Sequence, residues 1–262
     1  MKTLLTIYTL WQRELVRFYR QPSRVVGALA SPLLFWVLIG SGIGTSFQGH
    51  MVNRSMNYLE FFFPGTLLMI LLFTAIFSTI SIIEDRREGF LQSVLVAPVP
   101  RSSIVFGKVL GGATLACSQA VLFLIAVPFL GLHINLWQFL AMTVVLMISA
   151  ITLTSLGFII AWKMNSIQGF HAIMNLFLMP LWMLSGALFP PEGASGWLRW
   201  MMKLNPLTYE LTILRRILYG NNLLSLQLPS MKLSVTVMMI FGAIVFSLAT
   251  YVVSVRDSKN LV

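Results

Sequence analysis

Long apolar runs of 19 or more residues alternate along the chain with short clusters of charge. That rhythm matches helices crossing a hydrocarbon core of about 30 Å. The runs fall at residues 25–43, 61–83, 104–130, 137–162, 169–189 and 233–255, which predicts six crossings. Ahead of the first, Leu4, Tyr8, Trp11, Leu15 and Phe18 recur at steps of four, three, four and three. They therefore share one face of a helix within residues 1–24, with Arg13, Arg17 and Arg20 on the other. Such a helix is expected in the headgroup plane, rings in the acyl boundary and arginines toward anionic lipid, ending at Pro22. Between the fifth and sixth runs, Leu207, Leu211, Leu214 and Leu218 again repeat at helical spacing. Pro190-Pro191, Asn205-Pro206 and Gly220-Asn221-Asn222 divide that stretch into two short helices expected to lie on, or dip into, the outer leaflet. The fold class that follows is an all-α integral membrane protein. One transmembrane domain covers residues 25–255, preceded by the interfacial helix and followed by a short tail at 256–262.

Charge placement orients the domain. Lys2, Arg13, Arg17, Arg20 and Arg24 precede the first run, Arg86, Arg87 and Arg101 follow the second, Lys163 follows the fourth, and Arg256 and Lys259 follow the sixth. The intervening loops carry Arg54 alone between the first two runs and no Lys or Arg between Leu130 and Trp137. Both termini are therefore expected in the cytoplasm. The last external loop runs against this rule, with Arg199, Lys203, Arg215, Arg216 and Lys232; the amphipathic pattern and the dominance of N-terminal charges reconcile it.

Composition agrees: 57% of residues are hydrophobic and 10% charged, against about 25% charged in a soluble domain. A formal charge of +10 does not imply nucleic acid, because no segment is long and polar enough to build a basic groove. The N-terminal stretch lacks the apolar run and cleavage site of a removable signal peptide. Cys117, alone and inside an apolar run, reads as a small core hydrophobe, and His50, His133 and His171 are scattered, so no metal site is expected. Gly107-Lys108 is followed by Val109 without the glycine of a phosphate-binding loop, and no serine nucleophile elbow occurs, so no catalytic residue and no bound cofactor are expected.

The middle of every run lacks Asp and Glu. Glu60 and Glu84 sit at the ends of the second, Lys108 near the start of the third and His171 just inside the fifth, and all four read as interface anchors. An acid-free midplane argues against the rival reading of an ion-coupled secondary transporter. Trp36, Phe73 and Phe77 read as faces toward lipid or a neighbouring helix. Prolines and glycines within the runs (Pro32, Gly40, Gly42, Gly111, Gly112, Pro128 and Pro180) read as packing features.

The distinctive polar stretch is Glu84-Asp85-Arg86-Arg87-Glu88-Gly89-Phe90-Leu91, continuing to Ala97-Pro98-Val99-Pro100-Arg101. Mixed charge ahead of Phe90, Leu91, Val94 and Leu95 suits a short helix that docks on another protein, charges orienting and apolar residues burying. A solvated loop or a docking site on a non-transporting membrane scaffold would leave the same pattern.

The chain resembles the permease subunit of ABC-2 type exporters, the group of daunorubicin-type and nodulation-factor exporters. Arg13-Glu14 with Arg17, Arg20 and Pro22 carry the likeness, followed by Glu84 to Gly89, Ala97-Pro98-Val99 with Arg101, and Gly107-Lys108. Ser185-Gly186 with Phe189-Pro190, then Asn205-Pro206-Leu207-Thr208-Tyr209 with Leu214-Arg215, complete it. The resemblance implies six transmembrane helices, an interfacial N-terminal helix, a coupling helix after the second span and re-entrant external helices marked by Asn205, Pro206 and Tyr209. It further implies a pair of permease subunits in a bacterial inner membrane, each with a separate ATPase subunit that holds ATP and Mg. Glu84, Asp85, Arg86, Arg87, Glu88 and Gly89 would contact that ATPase, with Arg13, Glu14 and Arg17 in support. Phe90 and Gln92 stand where many members have a small hydroxyl residue and a glutamate, so the partner surface departs in detail. The task implied is outward movement of a hydrophobic or amphipathic substrate.

Overall fold

The computed structural model describes residues 2–47, 57–220 and 228–255, and every regular element among them is helical. In chain order these are α1 (Lys2–Tyr19), α2 (Pro22–Phe47), α3 (Tyr58–Ser78), α4 (Ile80–Arg87), α5 (Phe90–Val96), α6 (Arg101–Leu124), α7 (Leu136–Lys163), α8 (Ile167–Trp182), α9 (Gly196–Leu204), α10 (Pro206–Tyr219) and α11 (Met231–Val255). Local chemistry sets several of these ends. Pro22 opens α2 at the position where a missing N–H costs nothing. Asn135 and Gln138 cap α7 reciprocally, the Gln138 amide donating to Asn135 at 2.8 Å and the Asn135 amide to Gln138 at 2.9 Å.

The centre of the bundle is α3, buried along nearly its whole length against α2, α6 and α7. Aromatic amphipathic groups tie the elements together by their polar tips. Trp182 donates to the Gly65 carbonyl at 2.8 Å, Trp36 to the Leu59 carbonyl at 3.0 Å, and Tyr58 to the Leu188 carbonyl at 2.8 Å. Small residues bring backbones close: a Cβ on Gly65 would lie 2.7 Å from the Ala187 methyl and 3.1 Å from the Ala187 Cα. By contrast, α8 and α11 expose Leu176, Phe177, Ile240, Ile244 and Leu248, as helices facing lipid or another membrane chain do.

The boundaries depart from the expected runs in three places, at the second, third and fifth. Five helices are long and apolar enough to cross a membrane among the described residues. The first expected crossing, residues 25–43, lies within the 26-residue helix α2. The second crossing continues through a slight break at Thr79 into α4, so Glu84 to Arg87 belong to the last turn of that long rod. The third stops at Leu124, and Pro128 sits in a separate single turn at Val127–Leu130. The fifth ends in a widened turn at Met183–Ala187, where Gly186 takes a left-handed φ of 86°. Arg54, His50, Asn221, Asn222 and the 256–262 tail lie outside the described residues.

Two ends of the bundle differ in chemistry. At the basic end gather α1, α4, α5 and the C-terminus of α7. At the far end, α9 and α10 form a helical pair whose turn at Asn205-Pro206 packs on the last turn of α8, the Asn205 side-chain amide donating to the Leu181 carbonyl at 2.6 Å. The chain divides here into the two short helices that the proline and leucine pattern anticipated.

Replacing Gly65 by Ala is expected to destabilise the chain, since about 1–3 kcal/mol of overpacking against Ala187 outweighs about 1 kcal/mol of gained helix propensity. Gly42, whose Cβ would meet no atom within 4 Å, provides the control. Gly42→Ala should leave the melting temperature in detergent unchanged or raised, while Gly65→Ala lowers it.

Candidate functional site

Asp85 organises the basic end. Its side chain is fully buried at the end of α4, where an unpaired carboxylate would cost several kcal/mol. Arg13 on α1 meets it with a two-pronged contact, Nη1 to Oδ2 at 2.9 Å and Nη2 to Oδ1 at 2.6 Å. Arg17, one turn further along α1, donates to Oδ1 at 2.7 Å. Lys108 on α6 donates to Asp85 and also to Glu14 on α1, and it reaches Ser81 at 3.3 Å. Arg17 adds pairs to Glu84 at 2.9 Å and Glu88 at 3.2 Å. Three cations are thus enclosed by four carboxylates drawn from α1, α4 and the turn that follows it.

The close approach that permits this network is written into α6. A Cβ on Gly107 would stand 2.6 Å from the Leu10 Cβ, and one on Gly111 would stand 2.6 Å from the Glu14 Cβ. Glycines four apart on α6 therefore receive Leu10 and Glu14, four apart on α1, and set Lys108 beside them. Trp11 completes the seam by donating to the Thr114 hydroxyl at 3.1 Å.

This arrangement corrects two expectations. The arginines Arg13 and Arg17 turn inward onto Asp85 instead of outward to lipid headgroups, while Leu4 and Tyr8 are exposed. Buried carboxylates attract guanidinium groups more strongly than a hydrated interface does. Lys108 is likewise no snorkelling anchor: it is buried and ion-paired. Lys108 was legible as half of a motif, but its two acidic partners lie 94 and 23 residues away and only folding joins them.

The six residues nominated as a docking contact are divided in role. Asp85 points into the network, and Arg86 donates to the Trp162 and Met164 carbonyls at 2.6 and 2.9 Å. Arg87 donates to the Asn165 carbonyl at 2.8 Å. Together the arginines clamp the C-terminal carbonyls of α7, where positive charge is favoured. Gly89, with φ of 77°, reverses the chain into α5, and Arg13 stacks 3.7 Å from the Phe90 ring centroid. The outward surface includes Arg87, Glu88, Gln92, Ser93 and Val96, the last 80% exposed. Gln92 was marked from sequence as part of the partner surface, whereas Ser93 and Val96 were not, because which side of a seven-residue helix faces out depends on the turn that precedes it.

Beside the network, a cavity of about 550 Å³ lies among α1, α2, α3, α6 and α8. Ser78 and Ser81 border it near Glu14 and Arg17, and Met69, Phe73 and Phe77 line its apolar part. Phe73 and Phe77 thus border this cavity, and His171 packs 5.0 Å from the Phe77 ring.

At the far end, Asn205 caps α10 by accepting from the Leu207 amide at 3.0 Å, Pro206 starts that helix, and the Tyr209 hydroxyl donates to the Lys203 carbonyl at 2.8 Å. Arg215 is buried, donating to the Gly186 carbonyl at 2.8 Å and lying 4.3 Å from the Phe61 ring centroid. Arg216 donates to the Pro229 carbonyl at 2.8 Å. These two basic residues, which ran against the charge rule, are held within the fold instead of standing free in a loop. Glu210 is also fully buried here, an acid that the reading of the spans did not anticipate.

Replacing Lys108 by Met is expected to cost about 3–5 kcal/mol by leaving Glu14 and Asp85 short of a buried partner. Adding Glu14→Leu should recover a large part of that loss. Denaturant unfolding of the purified variants in detergent measures both, and a Lys108→Met chain as stable as the parent would remove the network from its supporting role.

The ABC-2 type transporter family model matches residues 6–219. The chain is 27% identical over 252 residues to the putative transport permease ycf38 of Cyanophora paradoxa, covering 92% of this chain and 87% of that one. It is 24% identical to the inner membrane transport permease YadH of Escherichia coli K12, covering 82% and 83%. It is 21% identical to the daunorubicin resistance ABC transporter permease protein DrrB1 of Streptomyces coeruleorubidus, covering 82% and 75%. The match runs from the α1 seam through the ion network to the end of α10, and the chain belongs to the ABC-2 type transporter family as a membrane-embedded transport permease.

Proposed function

We propose that this chain is the membrane-spanning subunit of an ATP-driven exporter, and that a separate ABC ATPase, carrying the ATP and Mg, docks on the turn at Gly89 and on α5. The observation that carries this reading is mechanical. A single rod, α3 with α4, runs from the far end to the Gly89 turn, and Asp85, Arg86 and Arg87 bind its tip to α1, α6 and α7. A push on α5 therefore reaches four helices together. Glu88, Gln92, Ser93 and Val96 supply the exposed polar and apolar groups that a docking face needs.

The basic end faces the cytoplasm in this reading, as the distribution of Arg and Lys favours. A bacterial inner membrane is its setting, as the printed name of the Escherichia coli relative suggests. A second copy of this chain covers part of the exposed apolar faces of α8 and α11, and lipid covers the rest. The cavity beside the network, apolar along Phe73 and Phe77 and hydroxyl-lined at Ser78 and Ser81, suits an amphipathic substrate with its polar part toward the cytoplasm. The drug-resistance name of the Streptomyces relative is consistent with that class.

The test is a single cysteine at Glu88 in a Cys117→Ser background, co-expressed with an ABC ATPase encoded beside it. A crosslink whose yield changes with ATP is the expected outcome. Reaction of residue 88 solely with an external thiol reagent would reverse the orientation and overturn the exporter reading. Val96→Glu, outside the ion network, is expected to weaken ATPase association roughly tenfold, the loss of a contact worth about 1.4 kcal/mol, with the chain's own melting temperature unchanged.

A further inference from the structure

Glu210 takes no part in the ion network, yet it is the most completely buried acid of the far end, with no exposure to solvent. It lies on α10, which packs on α11, α7, the widened turn after α8, α3 and α9. Ser149 of α7 faces the carboxyl. That serine stands halfway along the 28-residue α7, about 20 Å from its far end at 1.5 Å per residue. The α9–α10 pair thus carries an acid to mid-depth, although none of the crossing helices has one there.

Beyond the Ser149 hydroxyl, neither carboxyl oxygen has a hydrogen-bond partner among the described residues. The charged and titratable groups on the surrounding elements are committed elsewhere or stand at the rim. Arg215 bonds the Gly186 carbonyl, Arg216 the Pro229 carbonyl, and the Tyr219 hydroxyl the Glu60 carbonyl. Tyr209 bonds the Lys203 carbonyl, Tyr58 the Leu188 carbonyl and Arg199 the Ala194 carbonyl. Lys203, Lys232 and Lys163 are exposed, and Glu60 lies at the start of α3. On α11 the adjacent side chain is Met238, whose sulfur is 3.9 Å from the Ser149 hydroxyl. A metal cation would need several oxygen ligands, and one hydroxyl beside a thioether does not provide them. An unpaired carboxylate in such a place is far costlier than a neutral acid.

We propose that Glu210 is a proton-binding site, loaded in the present arrangement and emptied to water when α10 parts from α7 and α11. On release the O–H bond breaks, the pair stays on the carboxylate, and the proton passes to solvent at the far end. The closed packing therefore binds one proton more than a packing in which the carboxyl is hydrated, so acid on the far side favours closure and alkali favours opening. This inference does not depend on an ATPase partner, and its test needs the full chain alone.

The first measurement is infrared absorption of the chain in lipid nanodiscs at neutral pH, in water and in deuterium oxide. Wild type should show the carbonyl stretch of a dry, protonated carboxylic acid, shifted by deuterium, lost in Glu210→Gln and moved in frequency in Glu210→Asp. The second is the melting temperature against pH. With Glu210 protonated when folded and ionised when unfolded, the folded state binds the extra proton, so stability falls as pH rises above the ordinary carboxylate range. The unfolding constant should rise about tenfold per pH unit until Glu210 itself ionises, and Glu210→Gln should abolish that slope. Identical acid carbonyl spectra for wild type and Glu210→Gln overturn the proposal. A slope unchanged in Glu210→Gln overturns its link to packing. Should Glu210→Gln not fold, an Glu210→Asp spectrum identical to wild type overturns the assignment, and a shifted band supports it.

Discussion

A buried carboxylate cannot stand alone, and Asp85 has no solvent to share its charge. Much at the basic end follows from meeting that requirement. Arg13 and Arg17 must come from one helix and Lys108 from another, so α1 is drawn flat against α6 over a seam of glycines. Lys108 then brings Glu14 inside as well, and the extra carboxylates Glu84 and Glu88 balance Arg17. Removing the charge from a buried member, Lys108, Glu14 or Asp85, leaves its partners with an uncompensated buried charge, which is why these groups behave as a unit and not as a set of separate ion pairs.

The far end meets the opposite problem with backbone groups. Where the α9–α10 pair packs on the end of α8, carbonyls of α8 are left without their usual partners, since α8 widens at Met183–Ala187. Asn205 and Arg215 supply donors to the Leu181 and Gly186 carbonyls, and Trp182 supplies one to Gly65. Irregular backbone at membrane depth survives where protein side chains satisfy it. Between the two ends runs the α3–α4 rod, so the polar order at the tip and the satisfied turn at the other end are parts of one mechanical element. The cavity beside α3 lies along that same element, which is where a change of rod position would alter its shape.

Much of the architecture was legible because lipid is an undemanding reader of sequence. A run of apolar residues long enough to cross must be helical to satisfy its own backbone, so run length and charge placement outline the crossings without knowledge of packing. The two short helices α9 and α10 were legible for a related reason: Asn205-Pro206 both ends one helix and starts the next, and the leucine spacing marks the buried side. The helical ends were less legible. The Thr79 break, the stop at Leu124 and the widened turn at Gly186 depend on neighbours that sequence distance hides.

The sequence by itself determined the class of molecule, the amphipathic α1, the places where the chain turns back and the polar stretch at 84–89, because each rests on local periodicity or a local breaker. Tertiary structure alone decided where the charges go. It turned Arg13 and Arg17 inward, paired Lys108 with Asp85 and Glu14, took Arg215 out of the charge balance of the loop and carried Glu210 to the depth of Ser149. The physical reason is that the energy of a charge is set by what surrounds it in space. The partners here lie 94 residues apart for Lys108 and Glu14 and 29 apart for Arg215 and Gly186, and no local pattern of residues records a neighbour that distant.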